Sequence, residues 1–425
     1  MKRVLIVNSY SVNVNNATGI TLQSVFGELD ADRLMELYWN KTADVTGNLN
    51  IKFKVLDFAP LSLAGLVFNN KGKEISGKMK NTAEHSAQSN SVIKKAVTYL
   101  RQFITLQADL SRIKLTNRDM EDIKAFKPQV IYTLGGGVVA LKLSYLLSKK
   151  LDLPIVVHFM DNWRHCLQWE ENPLLGHYKK TLKKYCNLCY SRSTECIAIS
   201  PEMAKVYTEE TGVRHSVLMN SVRIRDYLCS PRKNDGVYRF VYTGGLHLGR
   251  YKGLYKIGKA IEKIAVKKGV GAEFSIYTST ENINAYSDNF KDLANTKLIE
   301  AVPHSEIRHI FQNADFLVHT ESDALVNNVY FKYSVSTKIP EYLASGRPTL
   351  FYGPQDIYLY KFLTDSQTAA TADNEEKLSE VIEAMIDGKY DWLSERAVVY
   401  AKENFDVTAA ANTFCNITDN AKIAL

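Results

Sequence analysis

The chain has 425 residues, of which 45% are hydrophobic and 23% charged. That is ordinary globular composition, on a length that calls for two or three cores rather than one. No stretch of eighteen or more apolar residues occurs, so no membrane-spanning helix is expected. The net charge of +7 is unevenly spread: residues 1–225 carry 31 Lys and Arg against 20 Asp and Glu, and residues 226–425 carry 22 against 26. A basic first half suits an anionic membrane surface or another anionic partner, and equally a solvated Lys-rich face.

The chain opens Met1-Lys2-Arg3-Val4-Leu5-Ile6-Val7-Asn8. Its apolar part is too short for a secretory leader and reads as a buried first strand, so a cytoplasmic protein is expected. Further apolar runs at 53–57, 130–134, 155–159 and 196–199, with a sixth near 217–219, alternate with amphipathic segments such as 91–107 and 138–149. Continuous apolar strands alternating with helices predict parallel pairing in a doubly wound sheet. Residues 66–90 are polar and Lys-rich and read as a loop. The helix after it carries Ile93, Val97, Leu100 and Ile104 on one stripe. That stripe is expected to pack on the sheet, with a membrane surface as the alternative.

Three features of this first half bear on chemistry. Gly19, in Asn15-Asn16-Ala17-Thr18-Gly19-Ile20-Thr21, is expected at a strand-to-helix turn where backbone can approach a ligand. No GxGxxG accompanies it, which disfavours an ordinary dinucleotide fold. His158 and Asp161 fall where the run 155–159 gives out into Met160-Asp161-Asn162-Trp163. Catalytic groups concentrate at such strand ends, and either residue suits acid–base work or positioning of a hydroxyl. A strand histidine has a purely structural reading as well. Cys186-Asn187-Leu188-Cys189 has metal-ligand spacing and His165-Cys166 stands upstream. A single CxxC is weak evidence, a buried pair is the plainer reading, and no metal is expected.

Residues 225–235, with Ser230-Pro231-Arg232-Lys233-Asn234-Asp235, read as a polar linker. A second series of strands follows at 240–243, 273–277, 298–301, 316–319 and 349–352, with helices at 254–267, 305–313 and 375–386. The reading is therefore α/β: two Rossmann-like doubly wound domains, residues 1–225 and 226–408, facing a cleft. Ligands bind such sheets at the carboxyl ends of their strands.

The second half holds the denser motifs. Thr243-Gly244-Gly245-Leu246-His247-Leu248-Gly249-Arg250-Tyr251-Lys252-Gly253 follows its first strand. Glycine amides at Gly244 and Gly245, with the cations Arg250 and Lys252, can cradle a diphosphate. Pro303, in Val302-Pro303-His304, ends a strand where backbone can meet a nucleotide base, and Glu321 closes another. Most informative is Ser336-Thr337-Lys338-Ile339-Pro340-Glu341-Tyr342-Leu343-Ala344-Ser345-Gly346-Arg347-Pro348. Ser336, Thr337 and Lys338 open a short helix whose free N–H groups and dipole suit an anion. Glu341, three residues on, falls on the same helical face and can accept from sugar hydroxyls. Diphosphate and ribose are both provided for within one turn, which outlines a nucleotide-sugar site.

These pieces in this order resemble the GT-B glycosyltransferases, specifically the family-4-like retaining group. The resemblance covers nearly the whole chain. Its most specific part is Lys338 to Pro348, which looks like that family's K-x-x-E-Y-x-A-x-G-x-P element. Ile197-Ala198-Ile199-Ser200-Pro201-Glu202 and Asn220-Ser221-Val222 look like two further family elements, the second with Ser221 in place of glycine. The resemblance implies that Glu341 holds the ribose hydroxyls and that Lys252 is the diphosphate lysine. It also implies that a C-terminal helix near 409–425 returns to the first domain and that no bound metal or cofactor is needed.

Two departures stand out. The family arginine directly after the first glycine is Gly245 here, leaving Arg250 as its substitute. Tyr333 stands where the first glutamate of the spaced pair belongs. The expected activity is transfer of a sugar from a UDP- or GDP-sugar to a saccharide or polyprenyl-linked acceptor, in surface polysaccharide or glycolipid synthesis. The enzyme would work in the cytoplasm or peripherally on the inner face of the plasma membrane, with no nucleic-acid partner. A nucleotide-sugar epimerase and a catalytically silent nucleotide-sugar-binding subunit are the rival readings.

Overall fold

The computed structural model describes residues 1–9, 12, 17–39, 51–59, 92–110, 112–166, 172–232, 235–324 and 329–424. Most of the predicted loop at 66–90 lies outside them. The described strands are β1 (Val4–Val7), β2 (Leu34–Tyr38), β3 (Lys52–Val55), β4 (Asp57–Ala59), β5 (Arg112–Lys114), β6 (Val130–Leu134), β7 (Ile155–Phe159), β8 (Glu195–Ala198), β9 (Arg214–Val217), β10 (Val237–Thr243), β11 (Gly271–Thr278), β12 (Thr296–Glu300), β13 (Phe316–Thr320), β14 (Thr349–Tyr352) and β15 (Ala370–Ala372). Two compact units divide the chain: Met1–Asn220 with Val407–Leu425, and Ser221–Asp406.

The first unit is built on a parallel sheet ordered β3-β2-β1-β6-β7-β8-β9. Strands β1 and β7 are buried at every residue, as a parallel sheet covered on both faces requires. One face packs against the helices Ala17–Phe26 and Val407–Asn420. Phe414 of the latter meets Phe26 and Tyr132 edge-on, with ring centroids 5.2 and 5.4 Å apart. The last helix thus completes the same core as Val4, Ile6 and Val156, and burial of Phe414 alone is worth about 1.5–3 kcal/mol.

The second unit has a parallel sheet ordered β12-β11-β10-β13-β14-β15. The strand order reverses between β10 and β13, and crevices at the carboxyl ends of such sheets open at that switch point. The loops after β10 and β13 are therefore brought side by side. The helix Lys338–Ser345 precedes β14 and stops at Gly346, whose φ of 71° is a left-handed conformation that glycine adopts without strain. The next residue, Arg347, is buried. Its Nε and Nη2 donate to the Phe311 and Gln312 carbonyls at 3.1 and 2.9 Å, at the end of the helix Ile307–Asn313, where the Phe311 carbonyl also accepts the Ala314 N–H.

Several elements differ from the sequence expectation. Strand β2 was not predicted, because Glu36 interrupts its apolar run. Glu36 is buried, its carboxylate accepts the Val12 N–H at 2.8 Å, and burial pushes its pKa up to about 8. It thus sits in the core as a neutral acid near pH 7. Strand β9 lies at Arg214–Val217 rather than 217–219, and β15 is too short and Ala-rich to register. Gly19 is not in a turn but inside the first turn of the helix Ala17–Phe26. On the helix Val92–Asp109, Val97 and Leu100 are more than half exposed, so that part of the stripe does not pack on the sheet. The segment read as a linker starts within a 3₁₀ turn, Ile224–Asp226, followed by Tyr227, whose ring is tilted against that of Phe311 with centroids 6.5 Å apart. No helix among the described residues is long and apolar enough to cross a membrane.

Candidate functional site

The second unit gathers its polar groups around the helix Lys338–Ser345. Glu341 sits in the first turn and is 6% exposed. Its Oε1 accepts from His304 Nε2 at 2.8 Å and from Tyr227 Oη at 3.2 Å. Both partners bind the same oxygen, and no hydrogen bond to Oε2 is formed among the described residues. His304 stands directly after Pro303, so the turn expected to meet a base and the glutamate expected to meet a ribose are in contact. Sequence reasoning passed over both carboxylate partners. Tyr227 lay in an apparent linker, and His304 was read only for its backbone.

Lys338 opens the same helical turn as Glu341. Its ammonium sits 5.8 Å from the Tyr242 ring centroid. It makes no ion pair or hydrogen bond among the described residues. Burial, and then the Arg250 charge, bring its pKa down to about 8. The aliphatic end of Lys338 lies directly on Gly244, where φ is +141° and an added Cβ would collide with Cε and Nζ of Lys338. The backbone conformation requires the glycine, and a Cβ there would push the flexible end of Lys338 aside. Gly245 is likewise covered, by the His247 ring. His247 is lowered to about 4, first by burial and then by Arg250 and Lys338, so it is neutral near pH 7.

Arg250 opens the helix Arg250–Lys268 and reaches the end of β13. Its Nε and Nη2 donate to Glu321 Oε2 and Oε1 at 2.9 and 2.8 Å. His319 Nε2 lies 3.2 Å from Glu321 Oε1. The His319 ring is stacked between Tyr242 and Phe351, with centroids 6.3 and 5.9 Å away. Burial works to raise the Glu321 carboxyl, but Arg250 and then His319 hold it well below the usual carboxylate range. Burial keeps His319 neutral, with its pKa lowered to about 4. Glu321, expected as a ligand contact, is therefore committed to Arg250. Lys338 is then the cation of the cluster that no carboxylate among the described residues contacts directly, with Glu321 and Glu341 acting on it only at longer range. Lys252 is exposed on the first turn of its helix, with its ammonium over the Tyr251 ring at 5.9 Å. The structure groups Lys338, not Lys252, with Arg250.

In the first unit, His158 lies inside β7 and is 1% exposed. Its Nδ1 is 2.7 Å from Tyr132 Oη, and its buried Nε2 has no hydrogen-bond partner of good geometry among the described residues. Burial lowers its pKa to about 3, so this imidazole is neutral at any physiological pH. Asp161 is half-exposed, two residues past the strand end.

The sequence reading missed a triglycine turn after β6. Phe159 lies against Gly135 and the Trp163 indole against Gly136. Asp109 caps the following helix, Val138–Leu151, accepting from Val138 N and from Tyr178 Oη, each at 2.6 Å. The Gly run was visible; its cap, 29 residues upstream in the chain, was not. Cys186 and Cys189 are buried in the helix Gly176–Tyr190. Burial raises both thiols, and Cys189 Sγ donates to the Leu141 carbonyl at 3.4 Å. Among the described residues no three His, Cys, Asp or Glu side chains converge as a metal site would need.

No protein-family model and no curated protein matches the sequence. Solved structures do match. A sucrose-phosphate synthase from Thermosynechococcus elongatus aligns over 97% of both chains with a TM-score of 0.60 at 10% identity. A UDP-forming α,α-trehalose-phosphate synthase from Burkholderia vietnamiensis aligns over 99% of both with a TM-score of 0.60 at 11% identity. The E. coli trehalose-6-phosphate protein bound with UDP-2-fluoro glucose aligns over 98% of this chain and 99% of its own, with a TM-score of 0.59 at 11% identity. Identity this low speaks to fold alone. The chain has the GT-B fold, two parallel-sheet α/β domains of seven and six strands.

Proposed function

We propose that this chain is a retaining glycosyltransferase that moves a sugar from a UDP- or GDP-sugar to a carbohydrate or lipid-linked acceptor. One observation carries the reading. The helix Lys338–Ser345 presents, within one turn, a partly buried cation that no carboxylate among the described residues contacts directly and a carboxylate with one oxygen uncommitted. A diphosphate would neutralise the first and a ribose would donate hydroxyls to the second. The similar proteins include one described as UDP-forming and one bound with UDP-2-fluoro glucose, which supports a nucleoside-diphosphate sugar as donor.

In this reading the chemistry is charge stabilisation. As the glycosidic bond to the diphosphate breaks, negative charge grows on the leaving oxygen. Lys338, the helix N-terminus beginning at Ser336 and Thr337, and Arg250 face that charge in a partly dry site, where fixed charges are most effective. Gly244 and Gly245 let the backbone come close, and Lys252 is left for the outer phosphate. No metal ion is called for. Pro303 and its turn would take the base. In the first unit, half-exposed Asp161 is assigned to the reacting hydroxyl, and buried His158 to holding the end of β7 in place.

Assembly of a surface polysaccharide or glycolipid is the pathway proposed. The exposed Val97 and Leu100 beside Arg101 support peripheral contact with an anionic lipid surface. Sedimentation with phosphatidylglycerol vesicles reads that contact, and no binding at low salt would remove it.

The direct test of the donor site is a thermal-shift panel of UDP, GDP, ADP and CMP. A ligand at a hundred times its Kd stabilises by about 2.7 kcal/mol, so UDP or GDP should raise the melting temperature. Glu341→Ala should abolish that rise. A variant that responds as strongly as the parent would take Glu341 out of the site.

A further inference from the structure

We propose that His304 is the positioning residue for Glu341, and that protonated His304 tightens the binding of a nucleoside diphosphate. The inference rests on the nucleotide reading of the site and deepens it. Its ground is geometric. Glu341 Oε1 is taken by His304 Nε2 at 2.8 Å and by Tyr227 Oη at 3.2 Å, while His304 and Tyr227 themselves approach to 3.5 Å. The three groups come from three separate elements: the turn after β12, the segment before β10, and the helix Lys338–Ser345. Pinning one oxygen from two sides fixes the plane of the carboxylate and turns Oε2 toward the ligand.

The charge of His304 then matters. Glu341 lies one helical turn from Lys338, so its carboxylate repels any diphosphate that Lys338 attracts. A charged imidazole in hydrogen-bond contact cancels that repulsion, whereas a neutral imidazole still donates but does not cancel it. The hydrogen bond that His304 donates to Glu341 is the main influence that raises the His304 pKa, against the opposing pull of burial. The sign follows: the stabilising charge is present at low pH and is lost as pH rises through the raised value. The groups facing His304 are Glu341 and Tyr227. Asp226 and Arg308 flank Tyr227, with Arg308 Nη1 donating to the Asp226 carbonyl at 3.4 Å, and Glu306 follows on its own turn. His304 is about one-third exposed, so it can exchange its proton with solvent in the absence of ligand.

The test is the dissociation constant of UDP and of GDP for the full chain from pH 5.5 to 9, for the parent and for His304→Gln. Glutamine keeps a neutral N–H donor and removes the titration. The ligand's own phosphate and Lys338 titrate in both proteins, so the ratio of the two constants isolates His304. The parent should bind about tenfold more tightly at pH 6, the size of one charge-assisted contact, and the ratio should approach one by pH 9. A ratio that stays flat across the range overturns the inference while leaving the nucleotide site standing. Failure of the parent to bind UDP or GDP at any pH overturns the nucleotide reading itself, and the inference with it. A second measurement needs no variant: ¹⁵N-histidine titration of the parent should show the His304 pKa rising when UDP or GDP binds. An unchanged value in the complex contradicts the proposal.

Discussion

Removal of the Glu321 carboxylate should strongly destabilise the second unit. Glu321 and Arg250 are both largely buried, with side-chain exposures of 5% and 14%, and they are joined by two hydrogen bonds of 2.9 and 2.8 Å. Glu321→Leu leaves the guanidinium buried without the two hydrogen bonds of that carboxylate, beside the Lys338 ammonium whose charge it already opposes. Breaking one side of a buried pair costs about 3–5 kcal/mol. For a folding unit of this size each kcal/mol moves the midpoint by about 2–4 °C, so the transition of the second unit should fall by about 6–20 °C. Arg250→Met alone strands the carboxylate and should cost a similar amount. The double variant Arg250→Met/Glu321→Leu removes both charges and should recover most of the loss, because well-packed apolar replacements of buried pairs are often neutral. Calorimetry on the four proteins completes the cycle. If the two single losses simply add in the double variant, the pair is not coupled and the charge ledger drawn for this site is wrong.

Three further outcomes follow from the same geometry. Gly244→Ala should weaken UDP or GDP binding at least tenfold, since it forces an unfavourable φ and displaces Lys338. Gly269→Ala, at a φ of +67° with nothing within 4 Å, is the control: it should cost about 1 kcal/mol of backbone strain and leave binding unchanged by calorimetric titration. Arg347→Met should destabilise the second unit by about 1–3 kcal/mol in urea, by removing the guanidinium donors to the Phe311 and Gln312 carbonyls, without altering ligand affinity. Lys338 starts with its pKa lowered to about 8. The unliganded protein should therefore gain stability as pH rises from about 8 toward the ordinary lysine value. Binding a diphosphate should draw a proton onto Lys338 near pH 8.5, visible as a buffer-dependent enthalpy in calorimetry. Lys338→Arg should lose that proton uptake.

What the sequence made legible was whatever local chemistry controls. Continuous apolar runs marked β1, β6, β7, β13 and β14, because strands covered on both faces need no polar alternation. The same logic failed at β2, where Glu36 breaks the run and is accommodated only by burial as a neutral acid bonded to Val12. The helix Lys338–Ser345 was readable from its glycine stop and its polar start. Its partners were not, because His304 and Tyr227 stand 37 and 114 residues away in the chain. Arg250 and Glu321 were each visible as charged residues at loop ends. Only the parallel order β10-β13 brings them together, and no spacing in one sequence encodes that pairing. Lys252 shows the converse. Its motif context drew attention, yet the cation beside Arg250 is Lys338, held over Gly244 by the packing of two separate loops.

The central claim is that the helix Lys338–Ser345 grips a sugar nucleotide by its diphosphate and its ribose. A crystal of the full chain soaked with UDP and with GDP tests it in one measurement. The account expects phosphate oxygens at hydrogen-bond distance from Lys338 Nζ, about 2.7–3.2 Å, and a ribose hydroxyl on Glu341 Oε2. Nucleotide density on any other part of the molecule, with this helix bare, would contradict it.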